Sequence, residues 1–213
     1  MADSEFTALR DAVVEAVPTL ARMTDGRSGN LSARAGDRVA ITPSGVPYEE
    51  IDADAVPVLS MAGERVAGTL EPSSETPMHL ELYRAMDFGA ILHAHAPWST
   101  TLAVLREDVP PVHYMLAAAG GRVPVAPYEP FGTPELAEAA VATMQAADTS
   151  ATLLANHGLV AGGEDVADAV ETAIAVESTA RLYLQAKAVG EPEPLTDEEF
   201  QAAVEQFADY GQR

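Results

Sequence analysis

Runs of strand length and helix-length amphipathic segments follow one another irregularly along this chain, and glycine or proline marks most of the joins. That irregularity constrains the fold more than any other feature. A parallel sheet needs a crossover, usually a helix, between strands, and no regular strand–helix–strand alternation is present. Residues 4–22 carry Phe6, Leu9, Val13, Val17 and Leu20 at close to helical spacing. Segments 30–33 and 38–42 read as strands, followed by a loop through Pro43, Gly45 and Pro47. Segments 56–61 and 65–67 read as a hairpin around Ala62-Gly63. Thr76-Pro77 predicts a helix with Thr76 at the N-cap and Pro77 in its first position, running to about Met86. A strand over 90–96, a short helix over 99–105 and a strand over 122–126 follow. Thr133-Pro134 opens a helix to about Ala146, and 151–156 and 158–161 read as strands. A long helix spans 165–187, and Thr196-x-x-Glu199 is a capping box for a last one. The expected fold is α/β: one domain over 1–213, an α/β/α sandwich around a central, mainly antiparallel sheet, with a mobile acidic tail from about residue 190.

Composition narrows the function. At 47% hydrophobic the chain can build a sizeable core. With Lys+Arg 12 against Asp+Glu 33 the net charge is −21, the wrong sign for a nucleic-acid partner. No apolar run approaches the roughly 20 residues of a membrane span. The segment MADSEFTALRDAVVEAV lacks a basic cluster before an apolar stretch and does not read as a signal peptide. The absence of cysteine excludes disulfides and thiolate ligands, and the expected location is the cytoplasm. Lys187 is the only lysine; the other basic residues are arginines. A carboxylate-rich, lysine-poor surface suits a halophilic setting, where salt screens self-repulsion.

Five histidines are present. His93 and His95 form a His-x-His pair within ILHAHA. On a strand, alternate side chains share a face, so both rings point the same way. His157 follows the apolar run ATLLAN and precedes Gly158, which lets the backbone turn sharply. A pair plus one distant histidine offers three nitrogens and leaves a coordination position open, as catalytic zinc sites do. The plainer reading is that one ring of such a pair satisfies a core hydrogen bond. His79 reads as structural or supporting, and His113 has no assigned role.

Three segments offer neutral anion donors: Ser28-Gly29-Asn30, Thr42-Pro43-Ser44-Gly45 and Pro72-Ser73-Ser74-Glu75. The last sits before a helix N-terminus, where free N–H groups and the dipole favour phosphate. Glycine–serine turns are common, and any one of these alone is ordinary. In a chain with a single lysine, phosphate would have to be held this way, with Arg27 at most assisting. Glu75 is out of place among phosphate donors: it either coordinates a metal, moves a proton, or simply complements the helix dipole.

In this order, Gly29-Asn30-x-Ser32, Thr42-Pro43-Ser44-Gly45, Ser73-Ser74-Glu75, His93-x-His95 and Asn156-His157-Gly158 resemble the class II aldolase/adducin family. Residues 112–136 are similar to its L-fuculose-phosphate aldolase branch, and the resemblance spans about residues 5–187. The resemblance implies one Zn2+ per subunit (Mn2+ or Co2+ also fit) on His93, His95 and His157, with Glu75 as acid/base and occasional fourth ligand. It implies a phosphate site of Gly29, Asn30, Ser44, Gly45, Ser73 and Ser74. It implies a homotetramer with active sites between subunits, Tyr114 reaching in from a neighbour, Tyr210 acting from the tail, and Phe131 lining the aldehyde side. The implied substrate is a small sugar phosphate, and the implied reaction is cleavage of L-fuculose 1-phosphate, or a similar ketose 1-phosphate, to glycerone phosphate and L-lactaldehyde. Pentulose-phosphate 4-epimerases and methylthioribulose-1-phosphate dehydratases share the site; adducin-like interaction modules share the fold but lose the histidines. Epimerases typically carry aspartate where this chain has Glu75, and Arg27 departs from the small hydroxyl residue of the fuculose branch. With Lys187 as the only lysine, at the end of a charged helix, a Schiff-base route is disfavoured.

Overall fold

The computed structural model of this protein describes residues 6–24 and 26–208. Helix α1 (Thr7–Met23) leads into strands β1 (Gly29–Ala35) and β2 (Arg38–Ile41), then β3 (Val58–Ser60) and β4 (Arg65–Ala67). Helix α2 (Thr76–Ala85), strand β5 (Ala90–Ala94) and helix α3 (Pro97–Leu105) follow. A 3-10 segment (Tyr114–Ala119) precedes β6 (Val125–Ala126), α4 (Pro134–Ala147), β7 (Ala151–Leu154), β8 (Gly158–Gly163), α5 (Val166–Val189) and α6 (Asp197–Ala208). Among the described residues the strands form one sheet in the order β4-β3-β2-β1-β5-β8-β7-β6. Neighbours run antiparallel except β6 and β7. The expected α/β sandwich with a mainly antiparallel sheet is the fold observed.

Side-chain alternation sorts the sheet residues into two cores. Leu31 and Ala33 of β1 and Leu92 and Ala94 of β5 pack with α1, α3 and α5 on one face. Ile91 of β5 and Val160 of β8 pack with α2 and α4 on the other. By the period of two, Asn30, Ser32 and His93 fall on the α2 face. The register sets Asn30 opposite His93 and His93 opposite Val160. The polar residues of the central strands are therefore gathered beneath the start of α2. No helix among the described residues is long and apolar enough to cross a membrane.

Local expectations are corrected in four places. Helix α2 is capped by Glu75, not Thr76, and Glu75 makes no side-chain cap bond. The Thr76 hydroxyl instead donates to the Ser73 carbonyl at 2.6 Å, which also receives the Thr76 N–H, so the chain enters the helix one residue early. Strand β5 stops at Ala94 because Ala96 and Pro97 open α3. The strand expected over 122–126 keeps only Val125–Ala126: Val123 pairs with Val109, and Pro124 has no N–H to give a ladder. The sharp turn before β8 is made at Asn156, with φ of 56°, and not by Gly158. Gly158 serves a different purpose: a Cβ there would lie 2.6 Å from the Ala94 carbonyl oxygen and 3.0 Å from the His95 ring. At the C-terminal end the capping box forms as expected. Glu199 accepts the Thr196 N–H at 2.9 Å and gives its own N–H to the Thr196 hydroxyl at 3.3 Å. Phe200, one residue on, is buried against the main core.

Candidate metal centre and substrate cleft

Three strands deliver the histidines. His93 lies within β5, His95 just beyond its end, and His157 in the turn that joins β7 to β8. Their rings surround one point, with centroids 4.8–5.0 Å apart in every pairing. One nitrogen from each lies within 4.8 Å of the other two. His93 is fully buried, whereas His95 and His157 are partly open. Gly29 permits the close pairing of β1 and β5 here: its φ is 148°, and a Cβ would sit 2.8 Å from the His93 carbonyl oxygen.

Glu75 enters from the first turn of α2. Its Oε2 lies 3.0 Å from His93 Nε2, and its Oε1 lies 3.3 Å from His157 Nε2. The Asn30 side-chain amide donates to Oε2 at 2.9 Å. Oε1 is buried and makes no hydrogen bond. Burial alone would raise the Glu75 carboxyl, but the attraction of His93, the Asn30 hydrogen bond and the neighbouring His157 and His79 outweigh it and hold the group below its usual range. Burial pushes His93 down to about 3, and it also lowers His95 and His157. At neutral pH the rings are neutral ligands and Glu75 is a carboxylate.

This donor set fits a divalent cation. The His93 Nδ1–H donates to the Leu159 carbonyl at 2.9 Å, which fixes the tautomer and leaves a lone pair on Nε2. That lone pair faces the Glu75 carboxylate at 3.0 Å and the His95 Nε2 at 3.2 Å. A lone pair facing a carboxylate is repulsive, and a cation between them converts it to shared coordination.

A cleft of about 400 Å³ opens beside the histidines. Its walls bring together the three hydroxyl and amide segments anticipated above: Ser28, Gly29 and Asn30; Ser44 and Gly45; Ser73 and Ser74. Glu75, His95, His157 and the exposed Phe131 also line it, and Arg27 stands at its edge. His93 lies behind this surface. Tyr114 is not in the cleft of its own chain; it borders a separate groove with Glu171, Glu199 and Ala202. Tyr210 lies outside the described residues.

Sequence reasoning overlooked several contributors. Tyr48 reaches back from the loop after β2 and donates to the Gly29 carbonyl at 3.2 Å, and burial raises its phenol to about 12. Its place after Pro47, in an otherwise polar loop, was the available signal. Tyr128, Glu129 and Asn156 complete the rim. His79, read as supporting, is fully buried and bonds both Ser32 and Asn30.

Residues 12–184 match the model of the class II aldolase and adducin N-terminal domain. The chain belongs to the class II aldolase and adducin family, as its motifs indicated. A 5-deoxy-D-ribulose 1-phosphate aldolase of Bacillus thuringiensis is 42% identical over 194 residues, 90% of each chain. A 5-methylthioribulose-1-phosphate/5-deoxyribulose-1-phosphate aldolase of Rhodospirillum rubrum is 39% identical over 96% of this chain and 93% of its own. The L-fuculose phosphate aldolase of Escherichia coli is 39% identical over 90% of this chain and 89% of its own. Among solved structures, an L-fuculose 1-phosphate aldolase superposes with a TM-score of 0.90 at 40% identity, covering 95% of this chain and 97% of that one.

Proposed function

We infer that this protein is a metal-dependent aldolase that splits a deoxyketose 1-phosphate between C3 and C4, releasing glycerone phosphate and a short aldehyde. The observation that carries the reading is the meeting of three neutral histidine nitrogens and a carboxylate at the edge of a cleft walled by neutral phosphate donors. The metal is one divalent ion, with zinc the best match to three imidazoles and Mn2+ or Co2+ as substitutes. Held by His93, His95 and His157, the ion supplies Lewis acidity to the carbonyl and hydroxyl oxygens of the ketose. The segments at Gly29–Asn30, Ser44–Gly45 and Ser73–Ser74 hold the phosphate through N–H and O–H groups. After the C3–C4 bond breaks, Glu75 in its protonated form returns a proton to the carbon left on glycerone phosphate, which restores its carboxylate 3.3 Å from His157. In the condensing direction it removes that proton.

The relatives favour two substrates, L-fuculose 1-phosphate and 5-deoxyribulose 1-phosphate. They share the phosphate end and the cleaved bond and differ in the aldehyde. Phe131, Tyr128 and Glu129 border the cleft where that aldehyde would leave. Tyr114, away from its own cleft, serves the site of an adjacent copy in a homotetramer, where it protonates the aldehyde oxygen as the bond forms and takes that proton back in cleavage; Tyr210 is proposed as a further catalytic residue. The cytoplasm is the expected location, and neither nucleic acid nor membrane is a partner.

The test offers purified, metal-analysed protein glycerone phosphate with L-lactaldehyde or with acetaldehyde, and L-ribulose 5-phosphate in a third tube. Condensation in either of the first two supports the aldolase and ranks the aldehydes. Xylulose 5-phosphate in the third, without condensation, would make the protein an epimerase. In a fourth tube, dehydration of methylthioribulose 1-phosphate with no cleavage would make it a dehydratase.

A further inference from the structure

Behind Glu75 the α2 face of the sheet holds a line of polar side chains, of which the chemistry above uses only Asn30. Asn30 Nδ2 lies 2.9 Å from Glu75 Oε2, and Asn30 Oδ1 lies 2.5 Å from His79 Nε2. His79 Nδ1 lies 2.6 Å from Ser32 Oγ, which is 2.7 Å from the Tyr83 hydroxyl. These residues are buried, with 5% exposure for Asn30, 2% for Tyr83 and 0% for His79 and Ser32. Buried polar groups are costly unless paired, and here each has a partner.

The carboxylate dictates which way every hydrogen in this line points. An ionised carboxylate only accepts, so Asn30 turns its nitrogen outward and its oxygen inward. The reverse setting would place Oδ1 against Glu75. An amide oxygen also only accepts, so His79 must carry its hydrogen on Nε2. The Nδ1 lone pair then accepts from Ser32, and the Ser32 oxygen accepts from Tyr83.

We propose that His79 is a positioning residue for the aldol chemistry: by holding the Asn30 amide with its oxygen inward, it keeps the Asn30 nitrogen on Glu75 Oε2 and so orients the carboxylate. This rests on the role given to Glu75 above.

Two measurements test it. The first reads the ring tautomer of His79 by two-bond 15N–1H correlation on 15N-histidine-labelled, metal-loaded protein at neutral pH. The Nε2–H form is expected, and the Nδ1–H form would overturn the proposal. The second compares His79→Leu with His79→Gln, whose amide can still donate to Asn30 and accept from Ser32. Loss of an outer-shell partner typically costs ~10–100-fold, so that fall in kcat is expected for His79→Leu. KM should stay within about twofold, since uniform substrate binding is untouched. Metal content should be unchanged, and His79→Gln should recover most of the loss. A folded His79→Leu with unchanged kcat, or a loss confined to KM, would refute it. The tautomer is read on the unaltered protein, so a variant that fails to fold does not block the decision. An unaltered protein with no aldolase activity would instead refute the proposed function, leaving the tautomer assignment intact.

Discussion

Asn30 and His93 stand directly opposite each other across the β1–β5 pair, and both reach the same oxygen of Glu75, at 2.9 and 3.0 Å. One sheet register therefore sets the supporting amide of the carboxylate and the fully buried member of the three clustered histidines together. A one-residue slip of β1 would turn Asn30 to the opposite face and remove the amide from Glu75. The two neighbours act on Glu75 differently: the amide donates to Oε2, and the imidazole presents a lone pair.

His93→Ala should abolish stoichiometric metal binding, since it deletes the fully buried ligand whose tautomer is fixed by Leu159. Lewis-acid stabilisation is worth several kcal/mol, so cleavage should fall by ~10²–10³-fold or more. Metal analysis alongside a glycerone phosphate assay checks both. A variant with full metal and full rate would remove His93 from the site.

Glu75→Gln separates metal holding from proton transfer. The histidines remain, so bound metal should stay near one per chain. General acid–base contributions run at about 10²–10⁴-fold, and kcat should drop by that order with little change in KM. Loss of metal in parallel with activity would show that Glu75 acts chiefly as a ligand.

The pH dependence of folding should carry the mark of His79. Burial lowers its folded value from 6.5 to about 4. Between those values the unfolded chain binds the extra proton, so stability rises with pH across the window and is lost as pH falls from 6.5 towards 4. At about 1.4 kcal/mol per unit this amounts to roughly 3 kcal/mol. Urea midpoints at pH 7 and pH 4.5, compared between the unaltered protein and His79→Gln, should show the shallower dependence in the variant. Equal slopes would contradict the assignment.

Gly158→Ala tests the close approach of β8 to β5. The added Cβ would meet the Ala94 carbonyl oxygen at 2.6 Å, which is backbone and cannot swing aside. Overpacking of this kind costs about 1–3 kcal/mol. A lower denaturant midpoint and weaker metal retention are expected, because His95 borders the same contact. A neutral substitution would mean that the strands have room to part.

A chain carrying −21 should gain stability as salt screens its own repulsion. The melting temperature is expected to rise from dilute buffer into molar KCl. No rise would count against the halophilic reading.

The parts of this site legible in the sequence were those set by local pattern. His93-x-His95 declares its shared face through the period of a strand, and Ser73-Ser74-Glu75 declares itself by preceding a helix. What pattern could not supply was partnership across the sheet. Asn30 is legible as a cleft residue because it follows Gly29, but only the sheet register delivers its amide to Glu75 and His79. The bonds among Asn30, Ser32, His79 and Tyr83 cannot be read from the sequence because they join residues 47 to 51 positions apart. Gly158 was read as a turn residue, but its cost lies in a contact with a strand more than 60 positions away. Thr76 was read as the helix cap because a hydroxyl before proline is the usual signal; the Ser73 carbonyl claimed that hydroxyl instead.

The most direct test of the whole account follows glycerone phosphate release from 5-deoxyribulose 1-phosphate and L-fuculose 1-phosphate before chelation, after it, and after zinc is restored. Cleavage of at least one ketose that disappears with the metal, returns with one equivalent per chain, and does not return in His93→Ala is the predicted result. Cleavage that survives complete metal removal, or no cleavage of either ketose by fully loaded protein, would contradict it.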